Sequence, residues 1–185
     1  MRIISGQWGG RKIKPPAKMP FTRPTTDIAK EGLFNILQNR ISFEGIHTLD
    51  LFGGTGAISY ELASRGAALL TIVEKDPTMA AFIQTNMQQL GALPNQFQIF
   101  KQDVFSFLST CTEQYHFIFA GPPYALGNID DLPAIIVAKK MILPPEGYFV
   151  LEHTPRNNYQ HFKGYRFERN YGTTIFSFFS MDDAD

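Results

Sequence analysis

From Ile46 onward, apolar runs of strand length alternate with segments of helical pattern, and this alternation constrains the fold more than any other feature of the chain. Strand, long crossover and strand again is the order of a parallel sheet flanked by helices, because parallel neighbours need such a connection. The apolar runs predict strands over Thr48–Phe52, Leu69–Glu74, Phe97–Lys101, Tyr115–Ala120 and Gly147–Glu152. Helices are expected from Gly56 to Ser64, from Pro77 to near Gly91, from an Asp103 cap through Leu108, and from Asp130 or Asp131 through Lys140. Pro77 suits a first helical turn, where its missing N–H costs nothing. The final stretch, Tyr165, Phe167 and Thr174–Phe179, has no long helical pattern between its strands. It reads as a closing hairpin with one antiparallel strand.

Ahead of this body, Ile28, Leu33, Phe34, Ile36 and Leu37 predict an amphipathic helix from Thr26 or Asp27 to Asn39. Earlier still, Arg2 to Ile13 suits a small hairpin, and Pro15, Pro16, Pro20 and Pro24 deny regular structure to the connection. Two parts are expected: residues 1–40 as a dependent extension and residues 41–182 as one α/β domain. With 185 residues, 44% of them hydrophobic, the chain can bury a full core. The lone Cys111 excludes an intrachain disulfide and suits a reducing compartment. No apolar stretch approaches the roughly 20 residues of a membrane-spanning helix, and residues 1–6 lack the apolar core of a signal peptide, so a soluble cytoplasmic protein is expected.

The net charge of zero conceals an asymmetry. Residues 1–40 carry eight basic and two acidic side chains, leaving nine basic and fifteen acidic beyond: +6 against −6. A basic arm suits a phosphate backbone, where lysine and arginine gain affinity by releasing counterions. Trp8 within it has two readings, a platform that stacks on an RNA base or an anchor of the arm on the body.

Leu49-Asp50-Leu51-Phe52-Gly53-Gly54-Thr55-Gly56-Ala57 is a strand, a glycine-rich turn and a helix start. Glycines allow close backbone approach to a ligand, and amides at the helix start face the cleft. The third glycine of a dinucleotide fingerprint is replaced by Ser59, and no P-loop lysine is present. Asp50 would repel a pyrophosphate but suits a ligand carrying an ammonium group and a sulfonium, which favours S-adenosylmethionine. Glu74, in Val73-Glu74-Lys75-Asp76, stands at the next strand end, where a carboxylate can accept from ribose hydroxyls. Asp103 occupies the strand end after that, as an acceptor for an adenine amine or as a helix cap.

The strand Phe117-Ile118-Phe119-Ala120 stops at Gly121-Pro122-Pro123-Tyr124, whose rigid backbone and aromatic ring suit a planar base with an exocyclic amine. Cys111 does not sit after a proline at a strand end, which argues against a cysteine nucleophile. His47, His116, His153 and His161 show no metal-ligand spacing, so no metal is expected.

Together these residues resemble the RsmD family, the guanine-N2 methyltransferases of bacterial small-subunit ribosomal RNA. The resemblance runs through Met1-Arg2-Ile3-Ile4-Ser5-Gly6, Gly10-Arg11-Lys12-Ile13, Arg23-Pro24-Thr25-Thr26-Asp27, Leu33-Phe34-Asn35-Ile36-Leu37, Asp50 to Gly56, Ser64-Arg65-Gly66-Ala67, Val73-Glu74-Lys75-Asp76, Pro122-Pro123-Tyr124, Glu152-His153 and Tyr171-Gly172. It implies a Rossmann-like seven-stranded methyltransferase sheet and S-adenosylmethionine held by Asp50, Phe52, Gly53, Gly54, Thr55, Gly56, Glu74, Lys75 and Asp103. The implied partner is small-subunit ribosomal RNA or its 30S particle, with Arg2, Arg11, Lys12, Lys14, Arg23 and Thr25 as RNA contacts. The implied catalytic segment is Gly121 to Tyr124, with Pro122 and Pro123 between them. There the family's acid or amide at the position of Gly121 and the carbonyl of the first proline accept the amine's hydrogens, while the tyrosine stacks on the extruded base. Gly121 supplies no side-chain acceptor, so a weakened or inactive RNA-binding paralogue is an alternative. An amino methyltransferase on DNA is another, disfavoured by the Arg23 to Asp27 run and the absence of a separate DNA-recognition domain.

Overall fold

The computed structural model describes residues 1–19 and 24–183. Seven strands form one sheet: β1 (His47–Leu51), β2 (Leu69–Val73), β3 (Phe97–Phe100), β4 (Phe117–Ala120), β5 (Tyr148–His153), β6 (Tyr165–Tyr171) and β7 (Thr174–Phe179). Their order across the sheet is β3-β2-β1-β4-β5-β7-β6. The first five run parallel, and β7 lies antiparallel to both β5 and β6. This is the mostly parallel sheet with one antiparallel strand that the alternating runs predict.

The helices are α1 (Asp27–Leu37), α2 (Ala57–Ser64), α3 (Pro77–Leu90), α4 (Val104–Thr110) and α5 (Asp131–Ala138). Three of them start at side-chain caps: Thr26, Asp76 and Asp103 accept from the amides of Ala29, Met79 and Ser106. Pro77 opens α3, and Gly91, at φ 92°, closes it in the left-handed conformation. Helix α1 stops at Leu37, short of Asn39, and α5 at Ala138, where Lys140 turns to φ 53°. Tyr115 precedes β4 and joins Ile142 through an isolated parallel bridge.

Strand periodicity distributes the core over both faces of the sheet. Phe117 and Phe119 of β4 pack into a cluster with Leu33 and Phe34 of α1, Leu62 of α2 and Ile83 of α3. Ile118 and Ala120 face the opposite cluster, built around Phe107 and Leu108 of α4 and Leu132 and Ile136 of α5.

The basic arm forms a compact loop closed by the single antiparallel bridge Arg2↔Lys12, shorter than the hairpin its sequence suggests. It is fastened to the C-terminal part of α2. The amides of Ile4 and Ser5 donate to the Glu61 carboxylate at 2.8 and 3.1 Å, and that of Trp8 to Ser64 Oγ at 2.9 Å. Gly6, at φ 82°, passes so close that a Cβ would lie 2.0 Å from the Ser64 carbonyl oxygen. Ile3, Trp8 and Ile13 join the same core cluster as α1 and α2, and Trp8 is only 6% exposed. The indole therefore anchors the arm. Among the described residues, no helix is long and apolar enough to cross a membrane.

Candidate active site

The C-terminal ends of β1, β2, β3 and β4 open onto one cleft of about 490 Å³, within the range of small-molecule sites. At the end of β1 the backbone enters the left-handed region at Phe52, φ 63°, which turns this residue onto the cleft wall. The following loop is packed too tightly for side chains at two positions. A Cβ at Gly53 would lie 2.7 Å from Ile72 Cγ2. One at Gly56, already at φ 82°, would lie 2.6 Å from Tyr60 Cζ.

Glu74, one residue past β2, is fixed by this loop and by its own strand end. Its Oε2 accepts from the Gly54 amide at 2.7 Å and its Oε1 from the Asp76 amide at 2.9 Å. Two backbone donors thus orient a half-buried carboxylate along the cleft wall. Asp103 stands beside it on the same wall. It caps α4 through a 3.1 Å bond from the Ser106 amide and lines the cleft. Lys75 is exposed at the rim.

The opposite side is built by Gly121, Pro122, Pro123 and Tyr124, all of which line the cleft. Gly121 continues β4, donating its amide to the Leu51 carbonyl at 3.3 Å. The Tyr124 hydroxyl donates to Glu152 Oε1 at 3.2 Å and meets Thr174 Oγ1 at 3.3 Å, tying the segment to β5 and β7. Thr25 Oγ1 donates to the other oxygen of Glu152 at 2.5 Å. Thr25 thereby stands near the Gly121 to Tyr124 segment, which reaches the same carboxylate.

The remaining expected residues lie behind or away from the cleft. Asp50 is 2% exposed and is not on the wall; its Oδ2 accepts from Ser59 Oγ at 2.7 Å. Burial pushes its carboxyl up to about 7, the Ser59 bond opposing and the charge of Glu74 adding to the rise. Gly53, Gly54, Thr55 and Gly56 shape the loop beneath the wall without lining it. Arg2, Arg11, Lys12 and Lys14 are exposed on the arm, with Arg11 reaching the Leu90 carbonyl at 3.4 Å. Arg23 lies outside the described residues.

Several cleft neighbours carry no signal in the sequence. Val73, Gln102, Phe105 and Leu126 line the wall, Phe105 from the first turn of α4. Ser59, which replaces a fingerprint glycine, is the hydrogen-bond partner of Asp50. Glu152 carried a usable signal, an acid ending an apolar strand as Glu74 does. Among the described residues, no cluster of histidine, cysteine and acidic side chains could hold a metal ion.

Comparison with known proteins agrees with this fold. A family model described as conserved hypothetical protein 95 matches residues 1–180. The ribosomal RNA small subunit methyltransferase D of Haemophilus influenzae is 33% identical over 146 residues, 78% of this chain and 74% of its own length. The solved structure of a hypothetical protein from Thermus thermophilus superposes with a TM-score of 0.82 at 27% identity, covering 98% of this chain and 99% of that one. The 16S rRNA N2 G1207 methyltransferase of the same organism, solved with AdoMet and guanosine, shares the fold: TM-score 0.66, 24% identity, 86% of this chain and 44% of that one.

Proposed function

Because the chain belongs to the family described as conserved hypothetical protein 95, the RsmD family, we propose that it is a ribosomal RNA methyltransferase acting on the N2 amine of a guanine in the small subunit. One observation carries this reading: a single cleft joins an acidic wall, Glu74 and Asp103, to the rigid Gly121-Pro122-Pro123-Tyr124 segment. The acidic wall fits S-adenosylmethionine. Its ribose hydroxyls suit the Glu74 carboxylate, its adenine amine suits Asp103, and Phe52 and Phe105 add apolar surface. When bound, the cofactor supplies a methyl group on a sulfonium.

The protein's own residues then have to bring an amine nitrogen into line with that methyl group, a task of positioning. Guanine's amine lone pair is delocalised into the ring, so acceptors for its two hydrogens are needed to direct it outward. The Pro122 carbonyl is one acceptor. The Tyr124 ring stacks on the extruded base and offsets part of the stacking lost in the RNA. Arg2, Arg11, Lys12 and Lys14 on residues 1–40 contact phosphates and set register without reading sequence.

The test is mass spectrometry of small-subunit RNA from cells with and without this protein. Loss of one N2-methylguanine is expected, and an unchanged methylation pattern overturns the reading. Gly121 favours a second reading, a catalytically weak RNA-binding paralogue. Measuring RNA binding and turnover separately distinguishes the two.

A further inference from the structure

An open groove of about 630 Å³ between α1 and β6 is separate from the cleft. Gly32, Asn35, Asn39 and Arg40 line it from α1 and the turn after it, Arg169 and Tyr171 from the strand, and none of its lining residues is acidic. The two elements close up at Gly32, where a Cβ would collide with the Tyr171 ring. Glycine is unfavourable inside a helix, and here it lets that ring lie against the helix backbone.

Phe167 gathers both arginines. Phe178 stacks on one face of its ring, centroids 4.4 Å apart, so the guanidiniums of Arg40 and Arg169, 4.5 and 4.8 Å from the ring centre, share the other face. Both side chains are exposed, and among the described residues neither is ion-paired with a carboxylate. Arg169 directs one donor to the Glu168 carbonyl at 2.8 Å, which leaves most of its fork open. Two like charges gathered on one ring face attract an anion.

The groove reaches the candidate active site at its upper end. Tyr171 pairs with Thr174 across the β6–β7 turn, and Thr174 Oγ1 lies 3.3 Å from the hydroxyl of Tyr124 on the cleft wall. It occupies the flank of α1 away from the basic arm. Lys30, whose Nζ reaches the Arg2 carbonyl, precedes Gly32 by two positions and so lies about 200° around the helix from it.

We infer that this groove binds the RNA strand next to the target nucleotide, with Arg40 and Arg169 on its phosphates and Asn35 as a neutral hydrogen-bonding group between strand and helix. This rests on the methyl-transfer reading above. A guanidinium presents a planar fork of donors that matches phosphate geometry. A strand whose base enters the cleft beside Tyr124 meets the groove one residue pair away, at Tyr171. The RNA then straddles α1, held by the arm on one flank and by the groove on the other.

The experiment titrates undermethylated small subunits with wild type, the double variant Arg40→Gln/Arg169→Gln, and Asn35→Glu over a series of potassium chloride concentrations. Methyl transfer, S-adenosylhomocysteine affinity and thermal melting are measured on each. The double variant is expected to bind subunits about tenfold more weakly, to reduce the slope of log affinity against log salt by about 1–2, and to lose transfer through KM more than kcat. Asn35→Glu keeps both arginines at an exposed helix position and is expected to bind roughly threefold more weakly, by repelling the same phosphates. That arm reads out whether or not the double variant folds. Subunit affinity within twofold of wild type in either variant overturns the inference. So does weaker binding by the double variant at an unchanged salt slope, which marks a protein contact or a packing defect. Groove-dependent binding by a wild type that transfers no methyl sinks the methyl-transfer reading and keeps the RNA site. Transfer by a wild type whose binding ignores the groove does the reverse, and neither binding nor transfer by wild type sinks both.

Discussion

Lys30 Nζ and Glu61 Oε1 lie 4.0 Å apart with both side chains buried, and the two residues fasten the basic arm to the body. Lys30 Nζ donates to the Arg2 carbonyl at 2.6 Å, while Glu61 receives the amides of Ile4 and Ser5 and the Arg65 guanidinium at 3.3 Å. Burial lowers the Lys30 pKa, and the charge of Glu61 opposes that shift. Removing one partner strands the other charge. Glu61→Ala is expected to destabilise the protein by about 3–5 kcal/mol, read by urea denaturation; a loss below about 1 kcal/mol would show that the arm is held mainly by Ile3, Trp8 and Ile13.

Asp50 gives stability a pH dependence of definite sign. Its carboxyl ionises near 3.8 in the unfolded chain and at about 7 in the folded protein. Between those values the folded state retains a proton that the unfolded chain has released, so this contribution to stability is present at low pH and is lost as pH rises through about 7. Asp50→Asn mimics the protonated acid and can still accept from Ser59. Without ligand, it should melt above wild type at pH 8, by an amount worth on the order of 4 kcal/mol at most, and the gap should close toward pH 4. Equal melting temperatures at pH 8 would contradict the burial argument.

Glu74 serves the loop and, under the proposed function, the ligand as well. Glu74→Gln keeps the shape but places an NH₂ group where one of two backbone N–H donors, Gly54 or Asp76, needs an acceptor. An unmet donor of this kind costs about 1–3 kcal/mol. Calorimetry with S-adenosylmethionine is expected to show binding at least fivefold weaker; unchanged affinity would remove Glu74 from the cofactor site.

The exposed arm predicts a salt signature. Arg11→Ala combined with Lys12→Ala should weaken RNA binding uniformly across sequences and reduce the slope of log affinity against log salt by roughly 1–2. An unaltered slope in a filter-binding titration over potassium chloride would place the RNA path elsewhere.

Much of the site was legible because strand ends are legible. Glu74 follows an apolar run directly, Asp103 lies three residues past Phe100, and a parallel sheet gathers such strand ends on one side. The direction of Asp50 was not, because it depends on register: Asp50 pairs with Ile72 on one side and Phe119 on the other, with Ser59 beneath it. Trp8 could not be settled from local sequence either, since its amide partner, Ser64, is 56 residues away. Glu152 was visible as an acid at a strand end, but its nearness to Gly121 exists only once β4 and β5 pair.

The placement of β7 between β5 and β6 has a consequence for the newborn chain. Strand β6 leaves the ribosome before the strand that attaches it to the sheet. It has no docking edge until β7 follows, so the two must join as one hairpin and β5 remains an open edge until then. That hairpin also delivers Thr174 to the Tyr124 hydroxyl. The acidic wall draws only on residues up to Phe105 and can form early, whereas the wall bearing Tyr124 gains its contact with Thr174 only once the hairpin is made. A partly synthesised chain can therefore complete its acidic wall before the Tyr124 hydroxyl has its partner on β7.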